Sequence, residues 1–103
     1  MVKLLPWSSK DAPTEKAMRK IFKEEGLRPY RWQNDPGDAY APHSHTYYKI
    51  IYVIEGSMTL AFPEEDHPVK VRAGDRIEIP PGVVHQADIG PQGIVCLEGH
   101  RRI

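Results

Sequence analysis

The sequence predicts an all-β barrel preceded by one short N-terminal helix. Ten prolines and eight glycines are spread through 103 residues, and they recur between short apolar runs. Regular turn signals of this kind are typical of a β-sandwich or a β-barrel. A helical apolar pattern occurs near the N-terminus, in residues 13–25, and places one helix before the barrel strands.

Length and composition restrict the class of protein. A chain of 103 residues forms one domain and buries roughly 60–70% of its unfolded surface. Its 14 basic and 14 acidic residues balance, so bulk charge favours neither nucleic acid nor an anionic membrane as a partner. The N-terminal residues lack the apolar run of a signal peptide, and no window approaches a membrane span. The single cysteine, Cys96, excludes an intrachain disulfide and fits the reducing cytoplasm, where we expect the protein.

The N-terminal quarter is expected to form an arm and a helix that pack on the barrel. Residues 1–12 are interpreted as an extended arm. Residues 13–25 are predicted to be helical, and Gly26 suits the left-handed conformation that ends a helix. We therefore divide the chain into an arm and helix over 1–26 and a single barrel over 27–103.

Seven strands are expected after the helix. Turn-forming residues separate them, including a predicted turn at residues 55–57. The predicted strands cover residues 30–33, 43–54, 58–62, 69–72, 76–79, 85–89 and 94–99.

Two segments place three histidines at regular spacings. Residues 37–56 follow the pattern G-x5-H-x-H-x3-K-x6-G, and residues 74–85 follow G-x5-P-x-G-x2-H. Because alternate side chains of a strand point to one face, His43 and His45 are expected to project together toward one metal ion. His85, from a distant strand, is expected to supply a third ligand.

The joined pattern resembles the two motifs of the cupin family, whose members are small β-barrels that hold a metal through histidines. The resemblance covers residues 37–89 and implies a cupin-type double-stranded β-helix, or jelly-roll, barrel. It also implies a divalent transition metal (iron, manganese, nickel or zinc) at the three histidines. The alternative is a barrel whose histidines hydrogen-bond only one another and water.

Lys49 occupies the position where the cupin family usually has a metal-binding glutamate. Three neutral imidazoles leave open metal positions for water, dioxygen or a chelating substrate. Lys49 can lose its proton and act as a base or ligand, pair with a carboxylate such as that of Glu98, or bind the anionic end of a substrate. We favour the last two together. Alternatively, its long stem runs along the barrel wall to the mouth.

The two faces of the long predicted strand suggest a pocket and a partner. The inward face indicates a small, mostly apolar pocket that suits a small organic ligand, with Lys49 and Tyr47 as candidate catalytic residues. The opposite face is also apolar and must be covered by the helix, the arm or a second subunit. Since pairing is common in the family that the chain resembles, we expect a homodimer. The apolar residues are Ile51, Val53, Ile77 and Ile79 on the inward face, and Ile50, Tyr52 and Ile54 on the opposite face.

The resemblance implies a metal-dependent enzyme, dioxygenase- or isomerase-like, that acts on a small organic substrate. The alternative is a non-catalytic cupin that binds or senses a small ligand, and Lys49 gives this alternative weight. A metal-free structural or storage barrel ranks last, because three placed histidines would then lack a purpose. Turnover with bound metal separates the first function from the second.

Overall fold

The computed structural model describes residues 2–64 and 67–102, and strands dominate this part of the chain. The four remaining residues of the expected arm and barrel (Met1, Glu65, Asp66 and Ile103) lie outside the described residues. The elements are β1 (Lys3–Leu5), α1 (Glu15–Glu24), β2 (Tyr30–Asn34), β3 (Ala39–His43), β4 (Tyr48–Ala61), β5 (Val69–Arg72), β6 (Arg76–Ile79) and β7 (His85–Arg101). The predicted all-β fold with one short helix is confirmed.

The strands form one antiparallel sheet that curls around two long strands. Its order is β1-β6-β4-β7-β2, with β3 beside β7 and β5 beside β4. β4 pairs with β6 through residues 49–52, with β5 through residues 57–60, and with β7 along most of its length. Two bulges interrupt the β4–β7 ladder near Gly56, and bulges bend and twist a strand. Because of these bends, β4 and β7 each take part in both halves of the barrel.

Gly56 makes the close approach of β4 and β7 possible. Its φ is 78°, and a Cβ at this position would lie 2.0 Å from the carbonyl oxygen of Gly93. Glycine alone tolerates both the left-handed backbone and this contact.

Several predicted strand boundaries are wrong. The strand predicted at residues 43–54 is divided, because β3 ends at His43 and β4 begins only at Tyr48. Conversely, the turn predicted at residues 55–57 is a bulge inside β4, and the two strands predicted last are one strand, β7. Glycine supplies the same local signal at a turn and at a bulge, so pairing with the neighbouring strand decides between them.

The helix begins at Glu15, two residues after the start predicted at residue 13. Thr14 caps α1, since its side chain accepts a hydrogen bond from the Ala17 N–H at 3.2 Å, and threonine is a favourable N-cap. At the other end Gly26 adopts φ 76°, as expected for the residue that ends a helix.

The helix covers the outer apolar face of β4. Met18 and Phe22 are fully buried there, in a cluster with Ile50, Tyr52 and Leu97. Trp7, from the segment before the helix, packs against the same cluster. The face that led us to expect a homodimer is therefore covered within one chain, and the homodimer stays a prediction. The arm contributes β1, which pairs with β6.

A buried arginine ties the end of the helix to the sheet. Arg76 donates two hydrogen bonds of 2.9 Å to Glu25 and one of 2.8 Å to Glu78, and Tyr48 donates a further one of 2.6 Å to Glu78. Burial alone would raise the pKa of Glu78, but the bonds from Tyr48 and Arg76 lower it below its ordinary value. Because the charge of Arg76 is paired in this way, the desolvation cost of burying it is offset. Within the described residues, no helix has the length and apolarity to cross a membrane.

Candidate metal centre

Three histidines converge at one end of the barrel. His43 ends β3 and lies opposite His85, the first residue of β7. His45 follows β3 in the connection to β4, where its carbonyl accepts a hydrogen bond from the Gly82 N–H at 2.8 Å. One nitrogen of each ring lies within 4.8 Å of the other two. The cluster therefore arises from strand pairing and a turn contact, and not from the strand alternation that the sequence suggested for His43 and His45.

Each imidazole is oriented through its Nδ1 atom. Nδ1 of His43 donates to the Ala41 carbonyl at 2.8 Å, and Nδ1 of His85 donates to the Val83 carbonyl at 2.9 Å. A carbonyl oxygen can only accept, so Nε2 carries the lone pair in both rings. Such contacts fix the tautomer and the direction of a metal-binding histidine.

The inward nitrogens lack the partners that a buried polar atom normally has. Within the described residues, Nε2 of His45 and Nε2 of His85 are buried and make no hydrogen bond. Buried polar side-chain atoms are otherwise nearly always bonded. Three imidazoles with converging nitrogens are a donor set that suits zinc, iron, nickel and other transition metals, so the residues fit the implied metal.

Burial favours the neutral form of two of the histidines, His45 and His85. It lowers the pKa of His45 to about 4, with further contributions from Lys49, His43 and His85. Burial also lowers the pKa of His85, and Lys49 and His43 act in the same direction. Neutral imidazole is the form that binds a metal, so at neutral pH these two rings need not lose a proton first.

Tyr47 lies directly beside His45. Its hydroxyl is 3.0 Å from Nδ1 of His45, and its ring stacks between His45 and His100, with centroid separations of 4.8 and 3.8 Å. Burial raises the pKa of Tyr47, as does the charge of Glu98. The neutral hydroxyl can therefore accept from the Nδ1–H of His45 while its Nε2 points inward.

Lys49 faces the same cavity and forms an ion pair there. Its Nζ lies 3.6 Å from Oε1 of Glu98, and the two side chains are only 13% and 4% exposed. Of the alternatives that the sequence left open, this contact is the pairing with Glu98. Since Lys49 is nearly enclosed, its stem does not carry the charge out to solvent.

The histidines, Lys49 and Glu98 line one cavity of about 340 Å³. Ile51 and Ile79 contribute to its wall, as the sequence suggested, whereas Val53 and Ile77 belong to the core around it. The lining residues not anticipated from the sequence are Tyr30, Trp32, Tyr40, Met58, Leu60 and Ala87. The alternation of Tyr30 and Trp32 in β2 was a signal that could have found two of them.

Comparisons with known proteins agree with this architecture. The family model described as Cupin domain matches residues 30–90. Among curated proteins, no sequence matches the chain significantly.

Solved structures with the same fold include a cupin and two enzymes. An RmlC-like cupin from Shewanella frigidimarina is 26% identical, with a TM-score of 0.62 over 72% of this chain and 64% of its own. The polyketide cyclase RemF from Streptomyces resistomycificus is 30% identical, with a TM-score of 0.63 over 72% of this chain and 54% of its own. The DMSP lyase DddQ from Ruegeria pomeroyi is 23% identical, with a TM-score of 0.66 over 73% of this chain and 38% of its own. The chain thus spans about half the length of the cyclase and a smaller share of the length of the lyase.

Proposed function

Because the chain belongs to the cupin domain family, we propose that it is a metal-dependent enzyme that converts a small organic substrate. The proposed metal ligands are the Nε2 atoms of His43, His45 and His85. The observation that carries the proposal is the pair of buried, unbonded Nε2 atoms in this cluster. The metal would be a divalent transition ion (iron, manganese, nickel or zinc).

A bound ion would supply Lewis-acid chemistry or, if iron, dioxygen chemistry, and its open positions would receive a chelating substrate. Lys49 is the proposed catalytic residue at the reacting end. Its ammonium forms an ion pair with Glu98 at 3.6 Å and carries three N–H donors, so it can also hold an anionic oxygen of the substrate. Tyr47 is proposed to keep His45 directed inward through the contact with its Nδ1.

The walls of the cavity support a small, partly aromatic substrate. Tyr30, Trp32 and Tyr40 line it together with aliphatic side chains, and its volume of about 340 Å³ falls within the range of small-molecule sites. The aromatic rings would orient a flat ligand by stacking. The likeness to a polyketide cyclase, 30% identical, supports a small organic substrate.

The second candidate is a non-catalytic cupin that binds or senses a small ligand. It is favoured by Lys49, which stands where the family usually has a fourth, carboxylate ligand. We propose a homodimer for either function, and we place the protein in the cytoplasm because its one cysteine is free and buried.

The test is the metal content of untagged protein purified without nickel resin, measured by elemental mass spectrometry. His85→Ala should lose the metal, whereas His67→Ala should retain it, because His67 is an exposed histidine outside the cavity. Near-stoichiometric metal that only His85→Ala loses supports the proposal, and the identity of the metal guides the choice of substrates. No metal in wild type, even after incubation with iron, manganese, zinc and nickel, would refute it and favour the ligand-binding alternative.

Turnover separates the two candidates. Metal-loaded protein that converts a compound from a panel of chelating substrates is an enzyme. Ligands that raise the melting temperature without being converted favour the binding function.

A further inference from the structure

A carboxylate faces the three-histidine cavity, but from a different strand than the family pattern implies. Glu98 belongs to β7 and lies opposite Ile51 of β4, two positions along the ladder from the pair formed by Lys49 and His100. Its side chain is 4% exposed and lines the cavity together with the histidines.

We propose that Glu98 is a positioning residue that offsets the charge of Lys49 and thereby allows the three-histidine centre to bind a dication. This inference rests on the proposed function. It explains how the chain keeps a metal centre although a cation has replaced the carboxylate ligand.

The contacts of Glu98 assign it this role and not that of a ligand. Oε1 accepts a hydrogen bond of 3.0 Å from Nε1 of Trp32 and faces Nζ of Lys49 at 3.6 Å. Oε2 accepts from the hydroxyl of Tyr30 and from Nε2 of His100, each at 2.6 Å. Three hydrogen bonds and the ion pair with Lys49 thus engage both carboxylate oxygens, and they hold Glu98 in place from β2, β4 and β7. A carboxylate held by these partners is not free to turn toward a metal as a ligand.

The same contacts determine where the charge of Lys49 lies. Lys49 lines the same cavity as the three histidines, so its charge lies close enough to oppose positive charge at the cluster. A cation at such short range disfavours a metal ion held by the imidazoles. Because the charges of Lys49 and Glu98 sum to zero, the pair adds no net charge beside the three imidazoles.

Metal affinity of single and double variants tests this compensation. Co²⁺ and Zn²⁺ dissociation constants would be measured for wild type, Glu98→Gln, Lys49→Met and the double variant, by cobalt absorption and by competition with a zinc indicator. Glu98→Gln should bind about 10- to 100-fold more weakly, in the range found for partners that surround a metal site. Lys49→Met should bind about tenfold more tightly, and the double variant should return close to wild type.

Exposed strand residues provide matched controls. Lys70→Met and Glu55→Gln remove the same charges from exposed positions of β5 and β4, so both should bind metal as wild type does. Thermal unfolding of the metal-free proteins shows whether each variant is folded. If Glu98→Gln does not fold, Lys49→Met decides alone, and an affinity equal to or below that of wild type would overturn the inference.

The two proposals fail in distinguishable ways. Absence of metal binding in wild type and in every variant refutes the metal centre and the inference with it. Metal binding in wild type that neither Glu98→Gln nor Lys49→Met alters refutes only the role of Glu98. Metal binding that appears only in Lys49→Met also overturns the inference, because Glu98 would then fail to offset the lysine.

Discussion

Removing one hydroxyl tests whether Tyr47 orients a metal ligand. In Tyr47→Phe the ring remains, so its stacks on His45 and His100 are kept, while the 3.0 Å contact with Nδ1 of His45 is lost. A metal on Nε2 requires a proton on Nδ1, and that N–H is then left without its partner. An unpaired donor in a partly buried site costs about 1–2 kcal/mol, which corresponds to about 5- to 30-fold weaker metal binding.

Tyr47→Phe should change the free energy of unfolding of the metal-free protein by less than it changes the free energy of metal binding. Without metal, His45 can change tautomer or bind water, so we expect a loss of about 0.5–1 kcal/mol. The assay is a Zn²⁺ competition titration together with urea unfolding of the metal-free protein. Tyr40→Phe is the control, because it also removes a hydroxyl from the cavity wall, where Tyr40 bonds to Asn34. Equal zinc affinity in Tyr47→Phe and wild type, or equal weakening in Tyr40→Phe, would refute the reasoning.

Further predictions concern the packing of the helix, the acid response and the oligomeric state. Phe22→Ala should lower the free energy of unfolding by about 3–5 kcal/mol, because Phe22 is fully buried against the sheet. Lys20 is exposed, so Lys20→Ala should change the free energy of unfolding by less than about 0.5 kcal/mol. Urea unfolding of the two variants and wild type measures both effects. The lowered pKa of Glu78 stabilises the fold above the unfolded value of 4.5, and this contribution is lost as the pH falls through the lower folded value. As the pH is lowered from 4.5, the melting temperature of the metal-free protein should therefore fall less steeply in Glu78→Gln than in wild type. Light scattering at micromolar concentration should give the mass of a homodimer, and a monomer mass would contradict that prediction.

Local patterns predicted the helix and the kind of fold. The apolar spacing and Gly26 placed the helix at residues 13–25, against Glu15–Glu24 in the structure. Both features act within a few residues of the chain, since a helix forms and ends through contacts of near neighbours. The regular turn signals likewise indicated an all-β sandwich or barrel, and the resemblance of the spaced glycines, proline and histidines to the cupin motifs implied the barrel.

The strand boundaries and the composition of the cavity depend on contacts between distant residues. Gly56 marks a bulge and not a turn because β7 continues to pair with β4 past it. Tyr30 and Trp32 face the cavity because β2 lies beside β7 in the register that places them at Glu98 and Cys96. No local pattern contains this register, since the paired residues lie more than 60 positions apart.

The sequence alone determined the all-β class, through its local turn signals, and its resemblance to the cupin motifs identified the three candidate metal ligands and the lysine at the glutamate position. Only the tertiary structure decided that α1 covers the outer face of β4 and that Glu98 collects hydrogen bonds from Tyr30, Trp32 and His100 beside the charge of Lys49. The reason is that a buried carboxylate is stable only where hydrogen-bond donors surround it. Here the donors come from different strands, so their positions depend on the register of the whole sheet.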